Sequence, residues 1–305
     1  MNDYFLSLHI MNFRKTIFII NGLFLSFLIY SCGKQIDIDP GYKNQILDFR
    51  QKRVNFLKSR IGYLNLVGLH WVQDGYSSIG SQSDNDIVFP KIFPNNFGSI
   101  TKTGDQIKIG FNQPVMLDST IKVAEFSFSQ DQLDHVFTWE SFEWFIIKRG
   151  GDYLLRLRDF ENPFLEQPFK IPYFPIDKNW VIQGTYAPYS EKRKRTISNI
   201  LGQQTDQEST GLIAFNYGGN NYQLETTIED DKLSVIFMDA TTGKETYQNG
   251  RTLYASNPDE NGNVILDFNK AFNFPCAFND YTTCPVPPPK NRLAMAITAG
   301  EKSFR

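Results

Sequence analysis

Between residues 42 and 60 the chain reads YKNQILDFRQKRVNFLKSR, with apolar side chains at 46, 49, 54, 56 and 57 set among charges. That spacing predicts one amphipathic helix over 43–60. Gly62 closes it, and the texture changes. Short apolar runs follow: YLNLVGLHWV, DNDIVFP, GDQIKIGF, IKVAEFSF, FEWFIIKR and DYLLRLRD, then WVIQGTYAPY, TGLIAFNYGG, NYQLETTI, KLSVIFMDA and NVILDFN. Runs of this length, rich in β-branched and aromatic residues and divided by Gly, Asn, Asp and Pro, predict strands. The expected fold is mainly β. The helix precedes two sandwich- or meander-like halves, 61–150 and 151–305.

Upstream of the helix the pattern differs again. Arg14 and Lys15 precede TIFIINGLFLSFLIYSC, an apolar run too short and too abruptly ended for a comfortable membrane span. It closes on Ile29-Tyr30-Ser31-Cys32, which resembles a bacterial lipobox with Cys32 as the lipidated residue. Residues 1–31 are therefore expected to be a lipoprotein signal peptide, with Met11 an alternative true start, and 32–42 a tether. An uncleaved anchor helix is the competing reading. Two acyl chains on Cys32 would give stable attachment to a membrane, so the expected location is the cell envelope, outside the cytoplasm. That compartment permits disulfides.

Composition narrows the function classes. Of 305 residues, 41% are hydrophobic and 15% aromatic, with 27 Phe, enough for a sizeable core. The formal charge of −2 gives no electrostatic case for nucleic-acid binding. The basic run EKRKR at 191–195 reads as a solvated loop tip.

The segments FMDATTGKETYQNGRTL, LDFNKAFNFPCAFNDYTTCPVPPPKNRL and ITAGEK resemble the DUF1684 family of uncharacterised bacterial proteins. The likeness takes in GYLNLVGLHWVQDGYSSIGSQSDNDIVFP, RLRD and IPYFPIDKNWVIQGTY, and so most of 43–302. It implies one recurring unit and brings no activity with it. A weaker likeness lies in SSIGSQSDNDIVFP, which is similar to the opening of a forkhead-associated sandwich. That family would have Arg at the place of Ser81, and no Ser-x-x-His follows, so phosphothreonine reading is not implied. Gly80 reads as a turn between strands.

Candidate chemistry is sparse. There is no G-x-S-x-G elbow and no S-x-x-K. His70 lies in an apolar strand and His135 beside acids, where structural roles suffice. Cys276 and Cys284 stand without a nearby His, so no zinc motif is formed; no metal or cofactor is expected. With Cys32 lipidated they are the two thiols left, and pairing them would constrain the unfolded chain by about 2–3 kcal/mol. The prolines of PVPPPK would stiffen the loop that carries Asn279, Asp280 and Asn291.

Polar strand faces offer the remaining candidates. In NVILDFN, Asp267 and Asn269 share the face opposite Val264, Leu266 and Phe268. Arg156 and Arg158 share a face of LLRLRD, and DATTGKETYQNGR supplies Asp239, Tyr247 and Arg251. Converging, these groups would bind a small anionic or sugar-like ligand, since guanidinium forks match carboxylate and phosphate geometry. The heavier competing reading is a structural network tying loop to strand. The leading functional expectation is an envelope lipoprotein that binds a ligand or maintains the envelope through this C-terminal pocket. The alternatives are a hydrolase using Asp267 or Asp239 with Arg251, and a structural or protein-interaction module.

Overall fold

The computed structural model describes residues 38–128 and 132–304. The signal segment, Cys32 and the first part of the tether lie outside the described residues. Residues 40–305 cluster as one compact unit.

The helix α1 spans Pro40–Lys58, starting three residues inside the expected tether. Proline suits a first helical turn, because its φ is already helical and its missing N–H has no partner there. The buried stripe runs through Ile46, Arg53 and Leu57, while Phe56 is exposed. Arg53 thus belongs to the buried stripe, and Arg50 is half-buried beside it. Arg50 stacks on Tyr173, and Arg53 stacks on Phe272 while bonding the Asn273 carbonyl at 2.8 Å. Acceptors and ring faces beneath the helix make that burial tolerable.

Nine strands form the first sheet: β1 (Leu66–Val72), β2 (Gly75–Gly80), β3 (Ile87–Val88), β4 (Gly98–Thr103), β5 (Gln106–Leu117), β6 (Ile121–Phe128), β7 (Val136–Trp139), β8 (Phe142–Arg149) and β9 (Asp152–Asp159). Their order is β1-β9-β8-β7-β5-β4-β2-β3, with β6 also on β5. All pairs are antiparallel except β2 with β3. The inner face holds an aromatic core in which Phe89, Phe93, Phe97, Phe111 and Phe137 surround Trp144. Gly80 is not a turn. It ends β2 opposite Val88, and a Cβ there would collide with the Asn95 carbonyl, so close backbone approach explains it.

The second sheet holds β10 (Val181–Ser198), β11 (Gln204–Tyr217), β12 (Asn220–Glu229), β13 (Lys232–Phe237), β14 (Arg251–Tyr254), β15 (Asn263–Asp267) and β16 (Phe272–Asn273). Its order is β15-β10-β11-β12-β13-β14-β16. Mainly β, helix first and two sheets: that architecture was expected. The boundary at 150/151 differs. Gly150, at φ +59, and Gly151 form the tight turn joining β8 to β9, with Arg149 opposite Asp152. The first sheet therefore runs to Asp159. The EKRKR run is also not a loop tip. It extends β10 against β11, where Lys192 pairs with Glu208 and Arg195 with Glu225, each at 2.9 Å.

Candidate functional site

The sequence-selected polar residues fall into separate places. Asp239 and Arg251 meet in a buried ion pair of 2.6 Å, with side chains 0% and 1% exposed. Arg251 also donates to the carbonyls of Ile297, Ala299 and Glu301, and Asp239 accepts from the Thr241 backbone and hydroxyl. Gly250, at φ +96, lets the chain turn the arginine inward. No substrate reaches this pair, so a hydrolase built on it loses its basis.

Asp267 caps the turn Phe268–Lys270 by accepting from the Asn269 backbone, and it accepts from the Tyr42 hydroxyl at 2.9 Å. The two side chains do lie together, through that turn rather than strand alternation. Asn269 accepts from the Asp177 backbone and donates to its carbonyl, holding the entry to β10. Asn291 does the same work for β12 and β13, accepting from the Glu225 N–H and donating to the carbonyls of Glu225 and Ile236. Arg158 ties the helix exit to the first sheet through the carbonyls of Arg60 and Gly62 and the Asn65 amide. Tyr247 accepts from Asn249 and borders a groove of about 630 Å³ together with Asp280.

Arg156 is different. Strand β9 is buried on both faces: Tyr153, Leu155 and Leu157 enter the aromatic core, while Leu154, Arg156 and Arg158 face the helix and the second sheet. Arg156 is 7% exposed, its side chain forms no hydrogen bond or ion pair among the described residues, and its Nε is buried without a partner. Burial and the neighbouring Arg149 guanidinium push its pKa down to about 10, so it stays charged at neutral pH. A buried, unpaired cation is costly, and one that lines a cavity is a candidate for a binding site.

A cavity of about 650 Å³ does lie there. The first sheet contributes Arg149 and Arg156; Phe49, Lys52, Arg53 and Phe56 come from α1, and Tyr63 from the turn after it. The second sheet contributes Gln207, Thr227, Ser234, Ile236, Thr252 and Tyr254, with Glu229 and Asp230 at the β12–β13 turn. The disulfide loop closes it with Thr282, Thr283 and Cys284. Arg149 reaches that loop through its Nε, which donates to the Thr283 hydroxyl at 3.1 Å. Burial holds the Arg149 pKa below its usual value as well. The cavity opens past Lys52, Ile228 and Asp230, all exposed. The volume lies in the range of small-molecule sites, roughly 300–1,000 Å³. Of the ligand-binding candidates chosen from sequence, Arg156 alone is among its lining residues, and Cys284 of the expected disulfide lies there too. Arg149, Tyr63 and Thr283 were missed.

Cys276 and Cys284 form the expected disulfide, with Cα atoms 6.2 Å apart. Its loop docks on the first sheet, where Asn279 donates to the Leu66 carbonyl at 2.9 Å. Intact-mass analysis should find no alkylation of these cysteines until reductant is added. Reduction should then lower stability by about 2–3 kcal/mol on the loop-entropy argument. Two freely alkylated thiols in oxidised protein would remove the clasp. Among the described residues no three His, Cys, Asp or Glu side chains gather as a metal-binding group.

No curated protein matches the chain. Among solved structures, the solution NMR structure of an uncharacterized protein from Haloarcula marismortui is similar, at 25% identity and a TM-score of 0.39, over 46% of this chain and 80% of that one. The family match is narrower than the span 43–302 read from the motifs and leaves the first sheet outside it. Residues 168–302, comprising the second sheet, its disulfide loop and the closing segment, match the DUF1684 family, described as a protein of unknown function.

Proposed function

We propose that this chain is a lipid-anchored, extracytoplasmic ligand-binding protein whose site is the cavity between the two sheets. The observation that carries the binding role is the cavity itself. Its walls come from both sheets, the helix and a disulfide-closed loop, so it is built by the fold rather than left at a surface irregularity. The polar pocket expected in the C-terminal half is thereby moved. Its second-sheet wall comes from β11–β14, and its charged anchor comes from β9. The lipobox ending at Cys32 supports the anchoring. Among the described residues no helix is long and apolar enough to cross a membrane.

The test fills the cavity. Native mass spectrometry of residues 33–305, incubated with a small-molecule extract of bacterial envelopes, should show a retained ligand. Ile236→Trp, which places an indole in the space, should release it. Retention unchanged in a folded Ile236→Trp variant would refute the cavity as the site. For the anchor, Cys32→Ser should abolish metabolic incorporation of a fatty-acid analogue; undiminished labelling would refute the lipobox.

A further inference from the structure

The charge pattern of the cavity narrows what can enter it. Its first-sheet wall carries two guanidinium groups and no carboxylate, and neither Arg149 nor Arg156 has an ion-pair partner among the described residues. The Nε of Arg156 is buried without a partner, and its side chain makes no hydrogen bond among the described residues. Arg149 spends Nε on Thr283 and one further nitrogen on the Lys148 carbonyl. The hydroxyls of Thr282 and Thr283 and the phenol of Tyr63 stand on the same lining. Thr282 is committed to Cys276 and to the Asn279 carbonyl, which leaves the arginines as the principal donors.

The rest of the lining combines polar side chains of the second sheet, Gln207, Thr227, Ser234 and Thr252, with a run of apolar and aromatic ones. Phe49 and Phe56 come from α1, Phe272 and Phe274 from the β16 region, and Ile236 and Tyr254 from the second sheet. The remaining cations are occupied elsewhere: Arg53 by Glu301 and Lys52 by Asp48. Glu229 and Asp230, on the opposite wall, disfavour a second negative charge there. A ligand complementary to this arrangement is negative at one end and apolar along its body.

We infer that the cavity binds an amphiphilic organic oxyanion, a carboxylate or phosphate seated on Arg156 with Arg149 beside it, its apolar body lying along the phenyl rings. This rests on the cavity being the ligand site. Guanidinium groups are suited to it because each presents a fork of donors to two oxygens at once. Desolvation also strengthens the pairing relative to water.

Two dyes of nearly the same body test the charge. 1-Anilinonaphthalene-8-sulfonate carries an oxyanion, and N-phenyl-1-naphthylamine is its neutral counterpart. The wild-type protein should bind the sulfonate at least ~30-fold more tightly than the neutral dye, the factor expected of a charge-assisted hydrogen-bond pair. Arg156→Met should lower sulfonate affinity by a similar factor and leave the neutral dye unaffected. Arg149→Met should lower it less, and Arg193→Met, remote from the cavity, should change nothing. Circular dichroism establishes that each variant is folded.

Dodecanoate and dodecyl phosphate then compete for the bound sulfonate, and the stronger competitor names the head group. Displacement by neither overturns the inference. Equal binding of the two dyes, unaffected by Arg156→Met, also overturns it while leaving the cavity as a binding site. Failure of both dyes to bind removes the site and the inference together.

Discussion

Urea unfolding of Arg251→Met is expected to show a loss of about 3–5 kcal/mol, the range found when one member of a buried ion pair is removed. The reasons lie in what the guanidinium leaves behind. Asp239 would keep a carboxylate with 0% exposure and no cation, while the carbonyls of Ile297, Ala299 and Glu301 would lose their donor. Against a total stability of roughly 5–15 kcal/mol, such a loss brings the chain close to unfolding at ordinary temperature. The double variant Arg251→Met with Asp239→Leu should recover part of it, because the stranded charge is then gone. A single-variant loss under about 1 kcal/mol would mean that water or local relaxation reaches the pair, and the structural role assigned to it would fall.

Arg156→Met should act in the opposite direction. The fold pulls the guanidinium pKa down from its ordinary value to about 10, chiefly through burial. The fold therefore penalises the charged form. The penalty is complete at neutral pH, below both the folded and the ordinary value, and fades as pH rises past 10 towards the ordinary value. Each unit corresponds to about 1.4 kcal/mol, so an uncharged side chain of similar length could raise ligand-free stability by up to about 3 kcal/mol at pH 7. Methionine keeps most of the stem's packing. A saturating anionic ligand should stabilise the wild type and not the variant, narrowing or reversing the gap. A variant clearly less stable than the wild type at neutral pH would show that Arg156 supports the fold rather than waiting for a ligand. Sites that bind charge commonly hold residues the empty fold would be better without.

Most of the architecture was legible because it rests on local patterns. The Phe142–Arg149 strand alternates buried and half-buried positions, as a strand covered more fully on one face should. The cysteines could be paired because, with Cys32 expected to be lipidated, they are the two thiols left in the sequence. The cavity was harder to read. In DYLLRLRD, buried residues fill every position from Tyr153 to Arg158, and that run is the trace of a strand covered on both faces. It signals that something packs behind Arg156 without naming what. The answer comes from α1, from β11–β14 and from a loop more than a hundred residues later. No local window contains all three.

Arg251 shows the reverse error. Its neighbours Asp239 and Tyr247, close in sequence, looked like parts of a pocket. The acceptors that occupy it, at 297, 299 and 301, lie about fifty residues downstream in an unremarkable stretch. Arg53 misled in another way. A charged residue on a helix reads as solvent-facing until a buried glutamate far away in the chain is known. Glu301, itself 0% exposed, accepts from Arg53 Nε at 3.3 Å and from the Asn273 backbone at 2.7 Å.

The contact between Arg53 and Glu301 spans 248 positions in sequence. β1 likewise waits for β9, about eighty residues downstream, before its edge is paired. Contacts so distant along the chain must be reached by loop closure before they contribute, which slows folding and prolongs exposure of unpaired strand edges. On a ribosome or at a translocation pore, the emerging polypeptide cannot complete its interior until residues 297–301 have cleared the exit. Helix α1, though made early, has Arg53 without its carboxylate partner until then. Assembly of this fold is thus a late event, governed by the arrival of residues 297–301.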